Sequence, residues 1–235
     1  MSQNLIILQS LREATFMRLL SKYINNDFKP FSTTENVTAI QDFFADVSYS
    51  HFPVMDNEIY QGCIAFVDAE TFEPQKSIAD YRYALEGFYV RNSSIWLDVL
   101  EIFARNNANI VPILDENNKY VGYYEITDVI KFLNETPFLK ETGSIIIVEK
   151  PIADYSMGQI TQIVESNYGK LLGAFVSEAN NEKVQVTVKI TLGSINEIIQ
   201  TFRRYNYEIV SEHQEDDYLN NLKERSEYLN KYLNM

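Results

Sequence analysis

Two histidines, His51 and His213, and a single cysteine, Cys63, are the chain's whole supply of near-neutral bases and thiols. No serine or thiol stands beside a second general base, so most acid–base and nucleophilic mechanisms lack parts. A phosphate-cradling glycine loop and a Cys/His quartet for structural zinc are also missing from the sequence. What remains are carboxylates placed for binding. Asp68 and Asp128 each follow a glycine, Gly62 and Gly122, by six residues, and each opens an apolar helical turn where an aspartate is an ordinary N-cap. His51 borders an apolar strand, as a packing residue or as a proton donor at a site mouth. The cluster Glu212, Glu215, Asp216 and Asp217 offers oxygens to a hard cation, or simply a solvated face.

The elements that hold these residues belong to a compact chain. Its 235 residues suffice for one or two domains, and 46% hydrophobic content with 16 Tyr and 14 Phe provides apolar surface to offset chain entropy. A formal charge of −13 argues against nucleic acid and anionic membranes as partners. The apolar start at residues 5–8 lacks a positive leader, and nowhere do 18 apolar residues run together. With one cysteine, the chain suits a reducing compartment, and the expectation is a cytoplasmic protein without signal peptide or membrane span.

Apolar spacing predicts a helix over 8–23. A unit of short strand, helix and two strands then occurs twice, at a shift of 59 residues that becomes 60 after one extra turn residue. Thr33-Thr34-Glu35 is expected to cap the first helix and Asn92-Ser93-Ser94 the second. His51-Phe52-Pro53-Val54-Met55-Asp56 lies on Ile110-Val111-Pro112-Ile113-Leu114-Asp115, Gly62 on Gly122, and Asp68 on Asp128. Residues 70–86, with Glu73-Pro74 and mixed charge, read as a linker or irregular crossover. Beyond Thr136-Pro137 the order becomes βαββαβ, and residues 183–190 alternate as an antiparallel strand with one wet face. Heptad spacing of Leu222 with Leu229 and Tyr218 with Tyr232 suggests a tail helix, packing on its own chain or across a dimer.

The duplicated unit resembles the CBS domain, whose tandem pairs bind adenine nucleotides or S-adenosylmethionine as regulatory ligands. The βαββαβ segment resembles the ACT domain, through its element order and Gly158-Gln159-Ile160 at the strand-to-helix junction. Together they are similar to acetoin-utilisation-regulator-like CBS proteins. The resemblance implies an α+β fold: an N-terminal helix (1–27), a CBS pair of two β-α-β-β-α units (28–135, copies about 28–70 and 87–135), a ferredoxin-like ACT domain (142–213) and a C-terminal helix (214–235).

In the family a hydroxyl three residues after the glycine meets phosphate, and the aspartate three further on holds the ribose. Here the hydroxyl positions are Ala65 and Glu125, while Asp68 and Asp128 persist. The implied ligand residues are Asp68, Phe31, His51 and Phe52 for one copy and Asp128, Glu125, Tyr89 and Val111 for the other, with the aromatic and apolar members against adenine. Both aspartates remain open to plain capping. An inward Glu125 would reject triphosphates, since like charges about 4 Å apart cost on the order of 4 kcal/mol at an effective dielectric near 20. Asp154-Tyr155-Ser156 can cap the ACT helix or hold an amino-acid ammonium.

The functional expectation is a non-enzymatic homodimeric regulator without catalytic cofactor. It senses AMP, ADP, ATP or S-adenosylmethionine and acts on an unidentified partner, with the ACT-like domain pairing subunits or binding a second ligand. The alternative is a ligand-free dimerisation scaffold with decayed sites.

Overall fold

A computed structural model describes residues 20–191 and 195–211. Most of the helix expected over 8–23, the tail after 211 and the acidic cluster at 212–217 lie outside them. The chain divides into two compact units, Met1–Leu133 and Asn134–Met235.

The first unit contains the repeat. Copy one comprises β1 (Phe31–Ser32), α1 (Val37–Asp46), β2 (His51–Asp56), β3 (Ile59–Ala65) and the single turn α2 (Phe66–Ala69). Copy two comprises β4 (Val90–Arg91), α3 (Trp96–Arg105), β5 (Ile110–Leu114), β6 (Tyr120–Glu125) and α4 (Ile126–Asn134). Each forms a three-stranded sheet, β1-β2-β3 and β4-β5-β6, parallel in the first pairing and antiparallel in the second. Phe31 pairs with Val54 as Val90 pairs with Ile113, and the ladder slips at Val54/Met55 as it does at Ile113/Leu114. The duplication read from Pro, Asp, Gly and Asp is therefore a duplication of register down to the bulge.

The helices bury the expected stripes: Val37, Ile40 and Phe44 on α1, Val99 and Phe103 on α3. Their caps differ from expectation. Asn36, not Thr33-Thr34-Glu35, caps α1 by accepting from the Thr38 amide, because Glu35 folds back onto the Ser32 amide and buried Thr33 bonds Met55. On α3 no side chain caps Ile95, since the Ser94 hydroxyl accepts from Arg91 instead. Both loops spend their polar groups closing the turn after β1 and β4.

The stretch 70–86 is more ordered than a linker. It contains a 3-10 helix, Ile78–Ala84, opened by a reciprocal Ser77–Asp80 capping box. Ile78 and Tyr81 are buried, Phe72 stacks on Tyr81 at 3.8 Å, and the amides of Ile78 and Ala79 donate to Glu35 and Thr33. Its apolar residues were sparse but sufficient to seal copy one.

The second unit opens with a turn, α5 (Pro137–Lys140), and continues β7 (Gly143–Pro151), α6 (Met157–Ser166), β8 (Leu171–Ala179), β9 (Lys183–Thr191), α7 (Ile195–Arg204) and β10 (Glu208–Ile209). The sheet order β10-β7-β9-β8 with antiparallel neighbours is the ferredoxin-like arrangement. Val184, Val186, Val188 and Ile190 face the helices and meet Ile160, Ile163, Ile198 and Phe202 in one core. Lys189, on the face expected to be wet, is buried. Phe138 lies within 5.7 Å of its ammonium, and the Leu139 carbonyl accepts from it. Ser156 caps α6 through the Gln159 amide.

Candidate functional site

The segment leading into each copy pairs with the other copy. Glu86, ahead of β4, exchanges two 2.8 Å backbone hydrogen bonds with Cys63 of β3. Asn25, ahead of β1, exchanges bonds of 2.9 and 3.0 Å with Tyr123 of β6. These crossings explain the repeated glycines, which have φ of +138° and +156°. A Cβ on Gly62 would stand 3.0 Å from the Glu86 carbonyl oxygen, and one on Gly122 would stand 2.6 Å from Ile24 and 2.7 Å from the Asn25 carbonyl oxygen. Only a residue without a side chain admits so close a neighbour.

Between the crossings, the equivalent residues Ser50 and Asn109 bond to each other: the Ser50 amide donates to Asn109 Oδ1 at 2.8 Å and the Asn109 amide to Ser50 Oγ at 2.9 Å. Their carbonyls accept from Phe66 and Ile126, the first residues of α2 and α4. The pair thus marks a pseudo-two-fold axis. Across it the cores are exchanged: Ile110 and Tyr123 are buried with copy one, and Cys63 with copy two.

The resemblance implies a ligand cleft in each copy, and the sequence fills the two differently. In the cleft of copy two, Glu125 Oε1 accepts from Tyr49 Oη at 2.8 Å and Asn25 Nδ2 at 3.1 Å, while Tyr49 also meets the Tyr123 hydroxyl at 3.2 Å. Tyr49 stacks on Phe52, and burial together with these bonds raises its pKa above the usual phenol value. Asp128, third residue of α4, forms an ion pair with Lys131 at 2.7 Å rather than an N-cap. In the cleft of copy one the residues equivalent to Glu125 and Tyr49 are Ala65 and Ala108. Asp68, third residue of α2, is half-buried and its carboxylate has no hydrogen-bond or ionic partner among the described residues; the N-cap position is Ala65. Neither aspartate caps its helix.

His51 stands opposite Ala65 in the β2–β3 ladder. Its Nδ1 meets Ser50 Oγ at 2.9 Å and its Nε2 meets Glu86 Oε1 at 3.4 Å, with the ring edge-on to Phe88. Both ring nitrogens are therefore engaged within the protein. Phe31 and Phe52 touch each other, 5.2 Å apart, inside the copy-one core, and Val111 lies inside that of copy two. Tyr89 is more exposed, packed on Tyr60 with the Arg91 guanidinium 5.1 Å from its ring. Of the expected adenine contacts, only Tyr89 thus presents substantial surface. Burial pushes the Cys63 thiol up to about 12, which makes it inert.

Sequence reasoning missed Tyr49, Asn25 and Glu86. The glycine that must admit a neighbour was a signal for the last two, though not for which segment arrives. Among the described residues no His, Cys, Asp and Glu group could hold a metal, and no helix is long and apolar enough to cross a membrane.

Residues 88–135 match the family model of the CBS domain. That stretch is a CBS domain, and copy one, repeating its strand order, bulge, crossing glycine and aspartate, completes a tandem CBS pair. Among solved structures the chain is similar to a CBS domain pair/ACT domain protein from Thermotoga maritima (17% identity, TM-score 0.45, covering 49% of this chain and 96% of that one). It is also similar to the CBS domains of a transcriptional regulator from Streptococcus pneumoniae (20% identity, TM-score 0.42, 48% and 96%). A third is CBSX2 in complex with AMP (14% identity, TM-score 0.40, 48% and 93%). No curated protein matches the chain.

Proposed function

We propose that the CBS pair is a regulatory sensor of an adenosine-containing ligand, not a catalyst, and that the ligand occupies the copy-one cleft alone. One contrast carries this reading: Asp68 stands beside Ala65 with no side-chain partner among the described residues, whereas Asp128 is held by Lys131 beside a cleft filled by Glu125 and Tyr49. A carboxylate accepts from both ribose hydroxyls at once, and charge assistance makes such bonds about twice as strong as neutral ones. The ferredoxin-like unit then serves to pair subunits or to take a second ligand. Binding would bias two arrangements of a dimer, and with them a regulated partner protein, by the 1–3 kcal/mol typical of allosteric coupling (about a 5–150-fold change).

The test is thermal unfolding with AMP, ADP, ATP and S-adenosylmethionine on wild type, Asp68→Ala and Asp128→Ala. At 100 times Kd a ligand adds about 2.7 kcal/mol to the stability of the native state. The expected result is a rise with at least one ligand, lost in Asp68→Ala and retained in Asp128→Ala. The filled copy-two cleft also favours a second reading, a scaffold that binds no nucleoside. No rise with any ligand at millimolar concentration would establish that instead.

A further inference from the structure

We infer that Glu86 determines the specificity of the copy-one cleft, selecting nucleosides with a neutral or cationic 5′ substituent over nucleotides; this rests on the binding site proposed above. The crossing fixes the position of Glu86, since its main chain is bridged to Cys63, two residues before Ala65 on the same face of β3. Its carboxylate reaches His51, directly opposite Ala65, and the Glu86 side chain keeps 43% of its surface exposed. The negative charge therefore stands at the end of the cleft where the resemblance places a phosphate.

The charge there has little to offset it. His51 Nε2 lies 3.4 Å from Glu86 Oε1, its ring is buried, and its Nδ1 is committed to Ser50. It presents no spare donor to an anion. No lysine or arginine contacts Glu86 or Asp68 among the described residues. A phosphate beside Ala65 would thus meet the Glu86 carboxylate with no lysine or arginine among the described residues to bridge the two, whereas a sulfonium or ammonium at the same place gains a partner. The copy-two cleft carries its carboxylate at the exchanged position, Glu125 for Ala65 and Asn25 for Glu86. Each cleft is thus guarded by one glutamate, delivered by a different element.

Equilibrium binding of adenosine, S-adenosylmethionine, AMP and ATP to the full chain tests this, with Glu86→Gln and Glu86→Ser as variants. Both variants keep the main-chain bridge, and circular dichroism confirms folding. Wild type is expected to bind adenosine and S-adenosylmethionine at least tenfold more tightly than AMP, a tenfold ratio being about 1.4 kcal/mol. Each variant should narrow that ratio at least tenfold while changing adenosine affinity less than twofold. Adenosine binding that depends on Asp68, with an AMP ratio unmoved in both variants, would overturn the role of Glu86 and leave the site intact. Absence of binding by all four ligands in wild type would overturn both.

Discussion

Replacing Gly122 by alanine places a methyl group where the Ile24–Asn26 segment crosses, and its cost can be worked from three contributions. The new Cβ would lie 2.6 Å from Ile24 Cγ2, 2.7 Å from the Asn25 carbonyl oxygen and 2.7 Å from Asn26 Oδ1. Overpacking of this kind costs about 1–3 kcal/mol. The backbone at φ +156° lies in a region essentially restricted to glycine, adding about 1–3 kcal/mol. If the segment retreats instead, the two Asn25–Tyr123 hydrogen bonds go, at about 1 kcal/mol each. Since retreat relieves the clash, the terms do not simply add, and the expected loss is about 3–5 kcal/mol. Urea unfolding followed by tyrosine fluorescence and circular dichroism measures it. Gly62→Ala should cost less, since its contacts begin at 3.0 Å, and Gly87→Ala, with nothing within 4 Å, should stay within about 0.5 kcal/mol of wild type. A Gly122→Ala protein within 1 kcal/mol of wild type, or a reversed order of Gly122 and Gly62, would refute the crossing as the reason for these glycines.

Tyr49→Phe removes a donor from the half-buried Glu125 carboxylate and should destabilise by about 1–3 kcal/mol in the same assay. Alkaline pH should unfold the first unit before its buried Cys63 and Tyr124 titrate in the native state. The Cys63 pKa rises from 9.0 to about 12 and that of Tyr124 from 10.0 to about 12, so their contribution is intact below about pH 9 and lost as pH rises toward 12. Each withdraws up to about 1.4 kcal/mol per pH unit above its ordinary value, and the share of the phenolate absorbance that comes from buried tyrosines should therefore appear together with loss of circular dichroism. Asn36→Ala should cost about 1 kcal/mol by uncapping α1, whereas Ser94→Ala, outside any cap, should disturb only the turn after β4; comparing their unfolding midpoints checks the reassigned caps.

Much of the fold could be read in the sequence because the repeat is written in residues with narrow backbone requirements. Gly62 and Gly122 need positive φ, and with Pro53 and Pro112 they hold the two ladders in equivalent register. The alternation of Val184, Val186, Val188 and Ile190 likewise fixed the buried face of β9. Capping residues were misplaced because Thr33, Thr34 and Ser94 are all competent caps; which polar group closes the turn and which opens the helix depends on the partner strand, Met55 or Leu114, brought in from elsewhere. The site was legible only in part. Asp68, Asp128 and Glu125 announced themselves through the repeat, but Tyr49, Asn25 and Glu86 reach the clefts through crossings between segments tens of residues apart. A local pattern carries no trace of such an encounter.

The exchanged cores also bear on how the chain comes off the ribosome. Copy one cannot complete its interior until Ile110 and Tyr123 have been synthesised, more than a third of the chain after β1 in the case of Tyr123. Until then Phe52, Ile64 and their neighbours remain partly uncovered, and the β3 edge at Cys63 lacks the segment that pairs with it until Glu86 emerges. Domains generally fold as units during synthesis, N-terminal first. Here the smallest unit able to do so is the complete pair, so a nascent chain halted between the copies should be a chaperone client rather than a half-finished domain.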